Sequence, residues 1–343
     1  MRSKIFLTTG AILSGIVLLS SFTSWFHKPI DPTDIKKAAS KALVALQESG
    51  NIFIYNAHDH CGSCHHTTLT SMAVNMAKQK GVPVTDSFNN NRVMAMAMNL
   101  KYIDNPNHVN DFLYGVNFLP CYLLFGLSAE NYPADFITDI SVDYLMSQAK
   151  KDGSFFSESG RAPLEAGDIH SAAMIIKAIQ LYASPAKKKT VDELVARTRN
   201  WLESQKPDQQ QEIVFQLLGM QWCGSSDNKK MKVAEQLRSM QNADGGWSQL
   251  PLLKSDAYAT GQALYALYES KMTRPESDMY QKGLKYLLST TDDEGVWEVK
   301  TRSYPIQPHF STDFPPYDNN QFISAAATGW SVIALLNALP DKN

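Results

Sequence analysis

A short Asp-Gly-aromatic signature recurs along this chain. It reads Gln148-Ala149-Lys150-Lys151-Asp152-Gly153-Ser154-Phe155, then Gln241-Asn242-Ala243-Asp244-Gly245-Gly246-Trp247, then Asp292-Asp293-Glu294-Gly295-Val296-Trp297. Phe155 and Trp247 lie 92 positions apart, and Trp247 and Trp297 lie 50 apart. That spacing fits a unit of about 46–50 residues, with one degenerate copy at 205–208 that lacks both the glycine and the aromatic. A fixed repeat of this length restricts the chain to a stacked or closed array of similar units.

The units read as helix pairs. Apolar residues recur at helical spacing over 35–49, 67–79, 140–149, 172–182, 191–204, 212–222, 231–240, 259–268, 280–288 and 324–339, and strand-like alternation is scarce. Gly50 and Gly81 read as helix stops. Within the signature, the Gln would bond the last free carbonyls of the helix it ends. Asp-Gly supplies a turn with a positive φ. The aromatic packs back onto the neighbouring unit. One all-α body over 35–343 follows, not two unrelated domains.

These residues carry a family resemblance. Gln241 to Trp247 resembles the Gln-Trp repeat of squalene-hopene cyclases, and the helix pairs are similar to those of that family and of protein prenyltransferase β subunits. The resemblance covers most of 35–343. It implies an α/α toroid (barrel), in which outer and inner helices alternate around a central cavity. On that plan the helix after each Gly-aromatic turn is an inner one, and the inner starts gather at one mouth. Those starts are 61–66, Asp168-Ile169-His170, Ser255-Asp256-Ala257-Tyr258 and Asp318-Asn319-Asn320-Gln321. Asp, Ser and Asn also serve as ordinary N-caps, but the histidines at two starts point to a functional mouth. Asp168, His170, Asp256 and Tyr258 are its candidate catalytic residues.

The chemistry that the resemblance implies does not carry over. Cyclases of this kind protonate an alkene with the middle Asp of an Asp-x-Asp-Asp-Thr motif. The matching stretch here is Asp256-Ala257-Tyr258-Ala259-Thr260, with Tyr258 in place of the acid. A phenol of pKa ~10 is too weak an acid for that step. Zinc prenyltransferases use an Asp-x-Cys pair and a distant His; Tyr258 again replaces the Cys, and His309 alone does not complete the set.

A second motif lies near the start. His58-Asp59-His60-Cys61-Gly62-Ser63-Cys64-His65-His66 holds four of the eight histidines and two of the four cysteines. Cys61-x-x-Cys64-His65 is the attachment pattern of haem c, with two thioethers to the porphyrin and the His on iron. Zinc or copper held by His58, His60, Cys61, Cys64, His65 and His66 fits the same donors. So does a Cys61–Cys64 disulfide or redox pair beside solvated histidines. Ser63-Cys64-His65-His66 is similar to a segment near the start of an exported branch of toroid-repeat proteins. Cys121 and Cys223 are isolated on apolar segments, either as buried thiols or as one disulfide. Trp201, Trp222 and Trp330 lie on helical faces and read as core. The Pro-rich, aromatic stretch 302–317 reads as a lid or a rigid surface connection.

Arg2 and Lys4 precede residues 5–26, a run of 22 without charge, and His27 and Lys28 follow. This reads as an export signal or as an uncleaved membrane anchor, since such a run can span ~30 Å of hydrocarbon. Residues 1–28 are therefore set apart, and the remainder is expected in the periplasm or cell envelope. The 32 Lys and Arg nearly balance the 34 Asp and Glu, so nucleic acid is excluded as a partner on charge. Three functions remain. The first is an exported terpenoid cyclase-like or prenyltransferase-like protein handling an apolar, isoprenoid-like molecule, with haem or metal at 58–66. The second is a non-catalytic binding or scaffold protein of the cell envelope. The third is a polysaccharide lyase-like toroid, whose necessary cation would be Arg161 or Arg302.

Overall fold

Local capping starts several helices. Asp31 accepts from the Thr33 N–H at the start of α1 (Pro32–Asn56), and Asp135 and Thr138 form a reciprocal capping box at α5 (Phe136–Ser147). Ser277 caps α11 (Asp278–Thr290), and Asp256 caps α10 (Ala257–Glu269) through the Ala259 N–H. The computed structural model describes residues 29–57, 62–85, 87–101, 103, 118–157, 162–164, 166–303 and 311–342. The other helices are α2 (Leu69–Gln79), entered through a π-helical turn at Cys64–Thr68, α3 (Asn89–Lys101), α4 (Phe118–Ala129), α6 (Asp168–Tyr182), α7 (Lys188–Ser204), α8 (Gln210–Trp222), α9 (Asp227–Ser239) and α12 (Gln321–Leu336). Among the described residues there is no strand, only an isolated pairing of Trp247 with Asp256.

The even-numbered helices form the inner ring. Each packs on the next, from α2 through α4, α6, α8 and α10 to α12, and α12 packs back on α2. The odd-numbered helices lie outside: α7 on α6 and α8, α9 on α8, α11 on α10 and α12, and α1 on α12 and α2. Inner helices are apolar on nearly every face, and all sixteen residues of α12 are buried. Outer helices keep a polar face, as in α7, where only Val191, Leu194, Thr198 and Leu202 are buried. This is the α/α toroid that the family resemblance implies.

The signature builds the same hydrogen-bonded turn three times. Gly153 N–H donates to Lys150 O, Gly245 N–H to Asn242 O and Gly295 N–H to Asp292 O. Asp152, Asp244 and Asp292 each accept a backbone N–H two residues on, from Ser154, Gly246 and Glu294. The indole of Trp247 donates to Leu237 O at 2.8 Å, and that of Trp297 donates to Leu287 O at the same distance. Both acceptors are last-turn carbonyls of outer helices, where the regular i to i+4 ladder has ended. So the tryptophan caps the helix before it and packs in the core. Gly245 has φ +92°, and a Cβ there would meet Lys282 O of α11 at 2.6 Å, so only glycine lets the turn touch the next outer helix.

Several expectations are revised. Helix α1 does not stop at Gly50 but runs to Asn56. The carbonyl-capping role assigned to the signature Gln belongs to the Trp: Gln241 Nε2 donates to Gly245 O and Met279 O, bridging its own turn to α11. Gln148 bonds the Ser147 hydroxyl, and Gln205, in the degenerate copy, bonds a carbonyl of its own helix, at Trp201 O. That copy is completed from elsewhere, because Gln216 of α8 donates to Leu202 O at 2.7 Å, the carbonyl that a tryptophan would have taken. Cys121 and Cys223 are buried free thiols, not a disulfide. Trp330 is core, whereas Trp201 and Trp222 are half-buried at its edge.

Candidate functional site

The inner starts converge as a parallel ring requires. His65 precedes α2, Tyr122 lies in the second turn of α4, His170 and Gln211 open α6 and α8, and Tyr258 opens α10. The Tyr258 hydroxyl donates to Gln211 Oε1 at 2.8 Å. Gln211 Nε2 lies 3.3 Å from His170 Nδ1 and donates to Pro163 O. His170 Nε2 is 2.9 Å from the Tyr122 hydroxyl, and the Tyr122 ring meets that of His65 edge-on, centroids 6.2 Å apart. Ala166 O sits 3.3 Å from His170 Nδ1 and can only accept. It favours the Nδ1–H tautomer, leaving Nε2 to accept from Tyr122. Burial, helped by the nearby His65, pushes the His170 pKa down to about 3, so the ring is neutral. Phe215 stacks on it at 3.8 Å and Phe118 meets it edge-on at 4.7 Å between ring centroids.

Gln211 and Tyr258 also line a cavity of about 270 Å³, together with Gly167, Gln210, Glu212, Gln249 and Arg302, among others. Whole-ligand sites are commonly ~300–1,000 Å³, so this one suits a head group or a small ring. Arg302 donates through Nε to Gln249 Oε1 at 2.7 Å, and Gln249 Nε2 donates to Asp256 Oδ2 at 3.0 Å. Asp256 is raised to about 6 by burial, against its hydrogen bonds from Ala259 and Gln249 and the Arg302 charge. Glu212 is raised to about 7, chiefly by burial and also by Asp168. It accepts from the backbone N–H groups of Ile169 and His170, which are free at the start of α6. The N-cap of α6 is Gly167, which has no side chain to do this, and a Cβ there would lie 1.4 Å from Glu212 Oε1. Glu212 thus caps the neighbouring inner helix.

The raised value has a thermodynamic consequence. Between the ordinary 4.5 and about 7 the folded chain holds a proton that the unfolded chain releases. This contribution to stability is full below that window and is lost as pH rises through it. Glu212→Gln keeps an acceptor for α6 and removes the titration. Thermal unfolding should show its Tm a few degrees above the parent's beyond neutrality, with a flatter slope across the window; an unchanged slope would refute the assignment.

The predicted residues separate into groups. His65, His170 and Tyr258 are joined through Tyr122 and Gln211, and Asp256 borders the cavity through Gln249. Asp168 instead accepts from the Ser157 N–H at 2.8 Å. His66 is buried apart, stacked on Phe53 at 5.0 Å and edge-on to Phe322 at 5.4 Å, and neither ring nitrogen has a hydrogen-bond partner. Cys64 is buried beside it in sequence. His58, His60, Cys61, Arg161 and His309 lie outside the described residues. Among the described residues no three His, Cys, Asp or Glu side chains are placed to share an ion. Sequence reasoning passed over Tyr122, Gln211 and Glu212. The signal for the last two was the run Gln209-Gln210-Gln211-Glu212 after the degenerate copy, polar residues opening an apolar helix.

No family model and no curated protein matches the sequence. Solved structures do match the fold. The type II terpene cyclase MstE from Scytonema, in its apo form, aligns with TM-score 0.59 at 14% identity, over 91% of this chain and 99% of that one. A variant of that enzyme with its product merosterolic acid A aligns at 0.58 and 13% identity, over 90% and 98%. Another, with its substrate geranylgeranyl dihydroxybenzoate, aligns at 0.58 and 12%, over the same shares. The chain has the α/α toroid fold seen in type II terpene cyclases.

Proposed function

We propose that this chain is an exported toroid protein that seats the polar end of an apolar, isoprenoid-like molecule in the mouth formed by its inner-helix starts. The observation that carries this is the meeting of Tyr258, Glu212 and Arg302 in one cavity of about 270 Å³, whose wall includes the bonded Tyr258 and Gln211. The fold it shares with an enzyme that binds a geranylgeranyl compound supports the ligand class. Alkene protonation is not the chemistry, because Tyr258 stands at the acid's position and Asp256 is occupied as the cap of α10. The Tyr258 hydroxyl, held by Gln211 Oε1, suits positioning of an oxygen of the head group. The test is mass spectrometry of lipids extracted from the purified full chain. An isoprenoid lipid should accompany the parent and fall several-fold in Tyr258→Phe; equal recovery from both, or none from the parent, would count against the reading.

The apolar run at 5–26 supports export. For a cofactor at the Cys64–His66 turn, a compact zinc or copper ion suits the unpartnered His66 nitrogens. A porphyrin would need an open slot beside Cys64 and His65, and both side chains are buried. Metal analysis and intact mass of chain purified from the envelope address both points: zinc or copper at one equivalent supports the ion, and its absence removes it.

A further inference from the structure

We propose that the mouth selects a neutral, hydroxyl-terminated head group, as in a prenol-type alcohol, over a phosphorylated or carboxylated one, with Gln210 Oε1 accepting the ligand's O–H. This deepens the reading of the mouth as a ligand site and rests on it.

Gln210 opens α8 and lines the cavity, yet its side chain is fully buried. Its Nε2 donates to Ala259 O at 2.9 Å, a carbonyl that can only accept, which fixes the orientation of the amide. Its Oε1 is left without a donor. Two neighbouring amides are engaged within the wall at both ends. Gln211 accepts from the Tyr258 hydroxyl and donates to Pro163 O, and Gln249 accepts from Arg302 Nε and donates to Asp256. A buried oxygen without a donor calls for one from water or ligand, and a hydroxyl supplies it. An ionised diphosphate or carboxylate brings acceptors alone and would leave Gln210 Oε1 unmet beside a new charge.

The charges point the same way. Among the described residues that line the cavity, Arg302 is the only cation. Asp256, ionised at neutral pH, faces it across Gln249, and each favours the charge of the other, so the guanidinium is already offset. The carboxyl of Glu212 on the same wall adds no positive charge. A diphosphate entering here would lose its water without finding a matching charge. A neutral alcohol has no such cost, and Ala162, Pro163 and Ala166 offer apolar wall for the carbons behind its hydroxyl.

The probes are geraniol, geranyl methyl ether and geranyl diphosphate, titrated calorimetrically into the full chain at neutral pH. The parent should bind geraniol saturably. The ether keeps the oxygen and the chain but has no O–H, and it should bind roughly tenfold more weakly, the size of one buried acceptor left unmet. The diphosphate should bind at least as weakly as the ether. Gln210→Met, with unchanged helical circular dichroism, should bind geraniol and its ether alike. An ether or a diphosphate that matches geraniol on the parent would overturn this proposal and leave the mouth as a site for another polar end. A preference for geraniol that persists in Gln210→Met would overturn the role given to Gln210. No saturable binding of any of the three by the parent would remove the ligand site itself along with the proposal.

Discussion

Trp247→Ala should destabilise the fold by about 3–5 kcal/mol, the usual range for removing a buried tryptophan from a packed core. Trp247 is fully buried, its indole satisfies Leu237 O, and its own N–H donates to Thr260 Oγ1 at 2.9 Å. The residue thus ties the end of α9, through its indole, to the start of α10, through its backbone N–H. Trp247→Phe keeps most of the burial but leaves Leu237 O with the Met240 N–H alone at 3.3 Å, so about 0.5–1.5 kcal/mol is expected from the lost indole bond. Trp297 repeats the geometry between α11 and α12, with its N–H on Thr328 Oγ1 at 3.2 Å, and Trp297→Ala should match Trp247→Ala within error. Denaturant unfolding of the variants measures this. A loss below about 1 kcal/mol for either alanine variant would show that the turn does not hold neighbouring units together.

Arg92→Met should lose a similar amount, about 3–5 kcal/mol, because it leaves a buried carboxylate without its cation. Arg92 on α3 is wholly buried, and its Nη2 lies 2.9 Å from Oε1 of Glu130, which is itself 5% exposed just past α4. Arg92 Nε also donates to Ser71 Oγ of α2 at 3.3 Å. The pair therefore fixes α3 and α4 against α2, and α4 carries Tyr122 toward His170. Pairing the change with Glu130→Leu removes the stranded charge and should restore much of the loss. If the double variant unfolds as readily as the single one, the cost lies in packing and not in the orphaned carboxylate. Against a typical total of ~5–15 kcal/mol, either loss is a large share of the molecule's stability.

The repeat was legible because glycine and tryptophan in its turns have narrow physical roles. The outer helices were legible because they keep one polar face. Helices α3 and α4 were not. The Met94-Ala95-Met96-Ala97-Met98 stretch of α3 alternates without a helical stripe, and α4 is apolar almost throughout. An inner helix buried all round has no stripe to read. The same reason hid Tyr122, one hydroxyl within an apolar run, whose importance comes only from the His170 nitrogen 2.9 Å away.

By itself, the sequence determined an all-α array of helix pairs, the places where its units join, and the polar helix starts, while the toroid was what the family resemblance implied. These follow from local rules: turn chemistry, capping and apolar spacing act over a few residues. Which polar starts meet was decided only by closure of the ring. Gln211 touches both Tyr258, 47 positions on, and His170, 41 positions back, and Glu212 caps a helix that is not its own. Closure also separated His66 from His65, its neighbour in sequence, by turning one ring toward Phe53 and Phe322 and the other toward Tyr122. Burial then set the charge states, lowering His170 and raising Glu212 and Asp256, because desolvation depends on what packs around a group and not on its place in the chain.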